Sequence, residues 1–353
     1  KMVLLGEFTH GAREPFLSRN ELIKELHDKK GFNVILFESG IGEMANVDLN
    51  LKKLTEHQLV SGFFWGWRVP EMSELTAFAQ SEKMCVGGFD VQRTGGGFRF
   101  LLNEIAVKER LDTTLYIDLE KRFVLTSRKL SNRKTRYDSV KTETRQVIND
   151  LQTLHDLLYQ KKPSKKRKYV LRTLTNRIVY LKYRLQFLKD KDWNQRWLAR
   201  DSMMAANVEW LSENIYKNEK LIIVAHNFYI SKFNENETVM GEYLKETFGS
   251  EMYALGVFGG KGTYHNNSGK PKEMLSPDST RLDIKHIIEK SDGFTTFLDI
   301  PKSQNSHNNW MFEPIVVNNS FIDLSGTKEL ILAKCFDGIL LIDEVSPPKG
   351  RVE

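Results

Sequence analysis

Short β-rich runs, several of them continuously apolar rather than alternating with polar residues, constrain this chain most. They occur as "MVLL" before Glu7, "NVILFE" at 33–38, "MCVGGFD" at 84–90, "LIIVAHN" at 221–227, "MYALGVFGG" at 252–260, "GFTTFLDI" at 293–300 and "GILLID" at 338–343. A strand with one wet face alternates, whereas a continuous apolar run of this length is a strand covered on both faces. Helical patterns separate the first three runs. The stretch "EPFLSRNELIKELHDKK" carries Pro15 near a first turn, apolar Phe16, Ile23 and Leu26 along one side, lysines in its last turn and Gly31 as a stop. Strand, helix, strand, helix, strand is the order of an α/β protein with a mostly parallel central sheet flanked by helices.

From about 101 to 215 the pattern is helical throughout and in part very basic. Leu171, Leu174, Ile178, Leu181, Leu185 and Leu188 keep a three-to-four spacing, and Pro163 and Ser164 mark a turn, so the segment predicts a basic helical hairpin inserted between strands. We expect one α/β domain over 1–353, with 101–215 as helical insertion and flanking helices. The cluster "KKPSKKRK" lacks the interleaved aromatic and polar groups of a base-reading surface, so a solvated hairpin tip is expected and nucleic acid is not an expected partner. The whole chain balances 52 Lys+Arg against 46 Asp+Glu, a mild excess that argues little by itself. Cys85 and Cys335 each sit in an apolar or strand-like run, which predicts two buried thiols rather than a disulfide framework or a cysteine metal site. No apolar run reaches the roughly 18 residues of a membrane span. A cytoplasmic protein is expected, an exported form being compatible with strand-like sequence that begins directly at Lys1.

Polar residues at strand ends carry the functional signal, because ligand sites in open α/β sheets lie at the carboxyl ends of the strands. Four runs deliver such residues: Glu7 and His10 after the first, Glu38 at the end of the second, Asp90 and Gln92 after the third, and His226 and Asn227 after the fourth. Two arginines fall on the apolar side of helices. Arg200 interrupts the stripe Trp197, Met204, Val208, Leu211, Ile215, and Arg19 follows Pro15 by four residues and precedes Ile23 by four. A buried arginine must be paired, so both are expected to clamp Glu7, Glu38 or Asp90. A carboxylate and arginine network beside a histidine is also how a general base is oriented and tuned. The same histidines and carboxylates could instead hold a divalent cation, and the residues alone leave that alternative open.

The blocks "LLGEFTHGARE", "GFNVILFES", "FFWGWRVPEMSEL", "GFDVQ", "RDSMMAANVEWL", "KLIIVAHNFYIS" and "TVMGEYLKETFG" resemble, in order, the signature blocks of the erythromycin esterase-like family, from residue 4 to about 260. The resemblance implies an α/β core with a deep cleft, a metal-independent hydrolysis with no cofactor, and a small-molecule substrate whose ester or lactone bond is opened, as in bacterial macrolide inactivation. A monomer or homodimer is expected. It also implies roles: His10 as the base that activates water, with Glu7, Arg19, Glu38 and His226 in the catalytic group, and Trp67, Glu71, Asp90, Gln92, Arg200, Asn227 and Tyr229 toward the substrate. No serine lies in a "GxSxG" elbow, which disfavours a serine-hydrolase triad. One departure stands out. Antibiotic-inactivating members carry a second histidine three residues after the first in the "AHN" block, and this chain has Tyr229 there.

Overall fold

The structure, a computed structural model, describes residues 1–352 apart from 133 and 292; within the helix Trp193–Asn214 nothing is described of the side chains of 193–198, so the expectation for Trp197 lies outside the described residues. The strands are β1 (Met2–Leu5), β2 (Val34–Gly40), β3 (Cys85–Asp90), β4 (Leu221–Val224), β5 (Met252–His265), β6 (Pro271–Glu273), β7 (Thr295–Asp299), β8 (Pro314–Asn318), β9 (Thr327–Ile331) and β10 (Gly338–Val345). The main sheet runs β3-β2-β4-β1-β5-β10-β7, parallel except where β7 meets β10. Strand β6 folds back on β5, and β8 pairs β9 in a separate antiparallel ladder. All seven apolar runs are strands, and the sheet is the mostly parallel one that they predict. The short β6, β8 and β9 carry no comparable run.

Alternate side chains of each central strand enter different layers. Leu4, Leu36 and Ile223 pack with the helices of the 98–214 region. Leu5, Ile35, Phe37, Ile222 and Val224 pack beneath Phe16, Ile23, Met72 and Leu75 of the helices Arg13–Lys30 and Pro70–Ser81. Covering both faces is what makes the runs continuous, and each such side chain contributes about 1.5–3 kcal/mol by leaving water. The helix Arg13–Lys30 stops where expected: Gly31 takes φ 70°, a left-handed conformation suited to glycine, and returns its N–H to the His27 carbonyl at 3.0 Å.

The basic hairpin comprises Tyr137–Tyr159 and Lys165–Asp190, with the Ser164 hydroxyl accepting from the Arg167 N–H at 3.2 Å to cap the second helix. Its tip is solvated as expected at Lys161, Lys162 and Pro163, which stay exposed, but the residues after Ser164 also pair with carboxylates of neighbouring segments. Lys165 pairs with Asp48 at 2.8 Å, Lys166 with Glu104 and Arg167 with Glu109. Deeper in, the Arg177 guanidinium pairs with Glu120 and lies over the Phe98 ring at 4.1 Å. Cys85 is half-buried and Cys335 buried, both as free thiols. No helix among the described residues is long and apolar enough to cross a membrane.

Candidate active site

Strand order reverses around β1 and β4: β2 lies beyond β4 on one side, while β5 flanks β1 on the other. Loops leaving the carboxyl ends there diverge and open a crevice. The chain after β1 stays tied to both neighbours. Gly6 donates to the Leu255 carbonyl at 2.9 Å, and the Glu7 carbonyl accepts from the Asn227 N–H at 2.8 Å. Further along, the His265 N–H at the end of β5 donates to the Gly11 carbonyl at 2.8 Å. A Cβ at Gly11 would meet the His265 carbonyl oxygen, so only glycine admits this crossing. The histidine-glycine pair thus reflects a close backbone approach that fixes where His10 points.

Glu7 is buried beneath His10. One carboxylate oxygen pairs with His10 Nδ1 and accepts from Trp67 Nε1 at 2.8 Å; the other accepts from Arg19 at 2.7 Å. Burial opposes charge on Glu7, yet His10, Arg19 and His226 together hold its pKa down to about 2. For His10, burial pulls the pKa down but the Glu7 charge and hydrogen bond outweigh it, and the net shift is upward. With its Nδ1 proton held by Glu7, the His10 ring presents Nε2 as its free, basic nitrogen. His226 lies parallel to His10, ring centroids 4.1 Å apart at 19°, and Tyr229 continues the row at 6.4 Å and 16°. Burial, then the charge of His10, lowers His226 to about 3, so it stays neutral. Two stacked histidines are therefore driven in opposite directions.

A second network holds the far wall. Arg200 donates to Glu38 at 2.9 Å, to both Asp90 oxygens at 3.2 and 2.7 Å, and to the Tyr229 hydroxyl. Glu38 in turn accepts the His226 backbone N–H at 3.2 Å. Burial raises the Tyr229 pKa despite Arg200, which keeps it a phenol. Its oxygen accepts from Arg200, leaving the O–H to donate.

These residues line a cleft of about 710 Å³ that holds His10, Glu38, Asp90, Gln92, Arg200, His226 and Tyr229. Five of the expected residues stand elsewhere. Glu7 and Arg19 sit behind His10, at 1% and 3% exposure, and act on it from below. Trp67 is buried with its indole N–H on Glu7, so it supports the pair rather than touching a ligand. Glu71 accepts from Arg13 at 3.0 Å and ties two helices together. The Asn227 side-chain amide bridges the Val257 backbone, donating at 2.6 Å and accepting at 3.0 Å, which spends its polarity on β5. For Trp67, Glu71 and Asn227 the substrate-contacting expectation is corrected accordingly. The cleft also takes in Phe64, Trp65, Arg93 and Asn267, which were not anticipated. His265, beside it, was legible by the same signal as the others, a polar residue closing a strand.

Glu7, His10 and His226 offer donor atoms within 4.8 Å of one another, the spacing of a metal group. Their chemistry does not suit a cation: Glu7 is already engaged by His10, Trp67 and the Arg19 guanidinium. A metal would have to displace these donors and sit beside a fixed positive charge.

A histidine and carboxylate pair at the switch point of an α/β sheet is a group able to take up and release a proton beside a cleft. A profile of the erythromycin esterase family matches residues 27–345, and the chain belongs to that family. It is 25% identical over 391 aligned positions to erythromycin esterase type II of Escherichia coli, covering 98% of this chain and 90% of the relative. It is 23% identical over 382 positions to YbfO of Bacillus subtilis (strain 168), which carries a hydrolase name, covering 98% and 84%. The fold matches a Bacillus cereus crystal structure with a TM-score of 0.80 at 21% identity, covering 99% of this chain and 89% of that one.

Proposed function

We propose that the protein hydrolyses a carboxylic ester or lactone with water activated by His10. The observation that carries this reading is the pair of stacked histidines whose pKa values are pushed apart, His10 up against Glu7 and His226 down to about 3. Water bound at His10 Nε2 attacks the carbonyl carbon as its proton passes to the ring. The Glu7 carboxylate stabilises the imidazolium that forms, and Arg19 holds Glu7 in place. The carbonyl oxygen becomes an oxyanion facing the Tyr229 hydroxyl and the His226 ring, two uncharged groups of the same cleft. Collapse expels the alkoxide, which takes the proton back from His10, so acid and alcohol leave and the base is regenerated.

Tyr229 bears on the substrate. A phenol donates a hydrogen bond but does not accept and release protons near neutrality as a histidine does. Macrolide esterase activity is thus one member of the proposed substrate class, suggested by the name of the Escherichia coli relative. The test is hydrolysis of a panel of macrolides, lactones and simple esters by wild type and His10→Asn, with and without chelator. Chelator-insensitive turnover that falls at least about 100-fold in the variant is expected, the lower end of what a general base supplies. Equal turnover by both proteins would sink the proposal.

A further inference from the structure

The cleft continues past His10. A second cavity of about 380 Å³ shares His10, Trp65 and Asn267 with the first, so the imidazole stands on a wall common to two lobes. The lobes differ in charge. The first contains the carboxylates of Glu38 and Asp90, both taken up by Arg200. Among its described lining residues the second holds no acidic side chain, and its fixed charge is Arg351.

Arg351 lies over the indole of Trp65, its guanidinium carbon 4.4 Å from the ring centroid, and no carboxylate among the described residues pairs with it. Its position is anchored through the next residue, since the Val352 N–H donates to the Arg68 carbonyl at 2.9 Å. Arg68 is itself held by the carbonyls of Ser61, Phe63 and Thr94. A guanidinium resting on an aromatic face has part of its water removed and its N–H fork pre-set, which favours planar recognition of a carboxylate. No carboxylate among the described residues accepts from that fork.

We propose that the second lobe is a subsite for a carboxylate carried by the substrate, bound by Arg351 over Trp65, so that the scissile ester at His10 belongs to an anionic molecule. This deepens the hydrolytic reading of His10 and rests on it for the word "scissile", although the carboxylate site itself does not.

Two readouts keep those claims apart. The first compares hydrolysis of a monoalkyl glutarate, which keeps one free carboxylate, with its neutral dialkyl ester, by wild type, Arg351→Met and Arg351→Lys. Wild type favours the anionic ester in kcat/KM by roughly tenfold or more, as a charge-assisted hydrogen bond warrants, Arg351→Met loses that ratio, and Arg351→Lys, with charge but no fork, falls between. The second is calorimetric titration of glutarate itself, expected to bind wild type and to lose roughly tenfold in affinity in Arg351→Met. Glutarate binding that depends on Arg351, without hydrolysis of any ester, leaves the subsite standing and fails the hydrolytic reading. Ester hydrolysis that needs His10 but shows no anionic preference, or glutarate binding that is absent or indifferent to Arg351, overturns the subsite and leaves the hydrolytic reading intact.

Discussion

His10 is useful only when neutral, and its surroundings decide when that is. Its pKa is raised above 6.5, chiefly by the Glu7 charge acting against burial, so kcat/KM should fall as pH drops through that raised value, with the limb above pH 6.5. Replacing Glu7 with Gln removes the main raising influence and leaves burial, which lowers the pKa. The limb should then move to lower pH by about one to three units while the plateau rate drops, because the imidazolium loses its counter-charge. A pH–rate profile of both proteins checks this, and an unmoved limb means that Glu7 does not tune His10. At this scale the sequence was only partly legible. A glutamate and histidine after a strand signal a site, but an amide after a strand reads the same whether it faces the cleft or, as Asn227 does, the backbone of the next strand. Trp67 and Glu71 entered through a resembling block, and nothing local distinguishes an indole that props a carboxylate from one that stacks on a ligand.

The helix Trp193–Asn214 brings Arg200 to three elements at once: the end of β2 through Glu38, the end of β3 through Asp90 and the turn after β4 through Tyr229. Arg200→Met leaves two carboxylates buried without their cation, a loss of about 3–5 kcal/mol for a broken buried pair. Urea denaturation should show that loss, and activity should fall with it, because Glu38 also holds the backbone of His226. A change within about 0.5 kcal/mol, ordinary for a surface substitution, would contradict the clamp. That both arginines are paired with strand-end carboxylates was readable from their interruption of apolar stripes, since a cation there has few permissible fates. The partners of Lys165, Lys166 and Arg167 were not readable. Asp48, Glu104 and Glu109 come from segments far along the chain, and only the fold brings them to the hairpin tip.

Across the whole molecule, the fold was legible where a central strand is covered on both faces, because burial writes a continuous apolar run; β6 and β9 are exposed or half-exposed and leave little trace, while β8, though buried from Ile315 to Asn318, holds only three successive apolar residues. The segment Gly6–Gly11 joins this large-scale order to the chemistry. Its backbone is bonded to β5 at Gly6, to the turn after β4 at Glu7 and again to the end of β5 at Gly11. Enzymes that keep their reacting groups on a weakly held loop lose activity before they melt, as that loop opens at little free-energy cost. Here heat inactivation and the loss of far-ultraviolet circular dichroism should share one midpoint, and inactivation well below the melting transition would show that the segment opens alone. With one shared midpoint, turnover serves as a direct gauge of how much of the population remains folded.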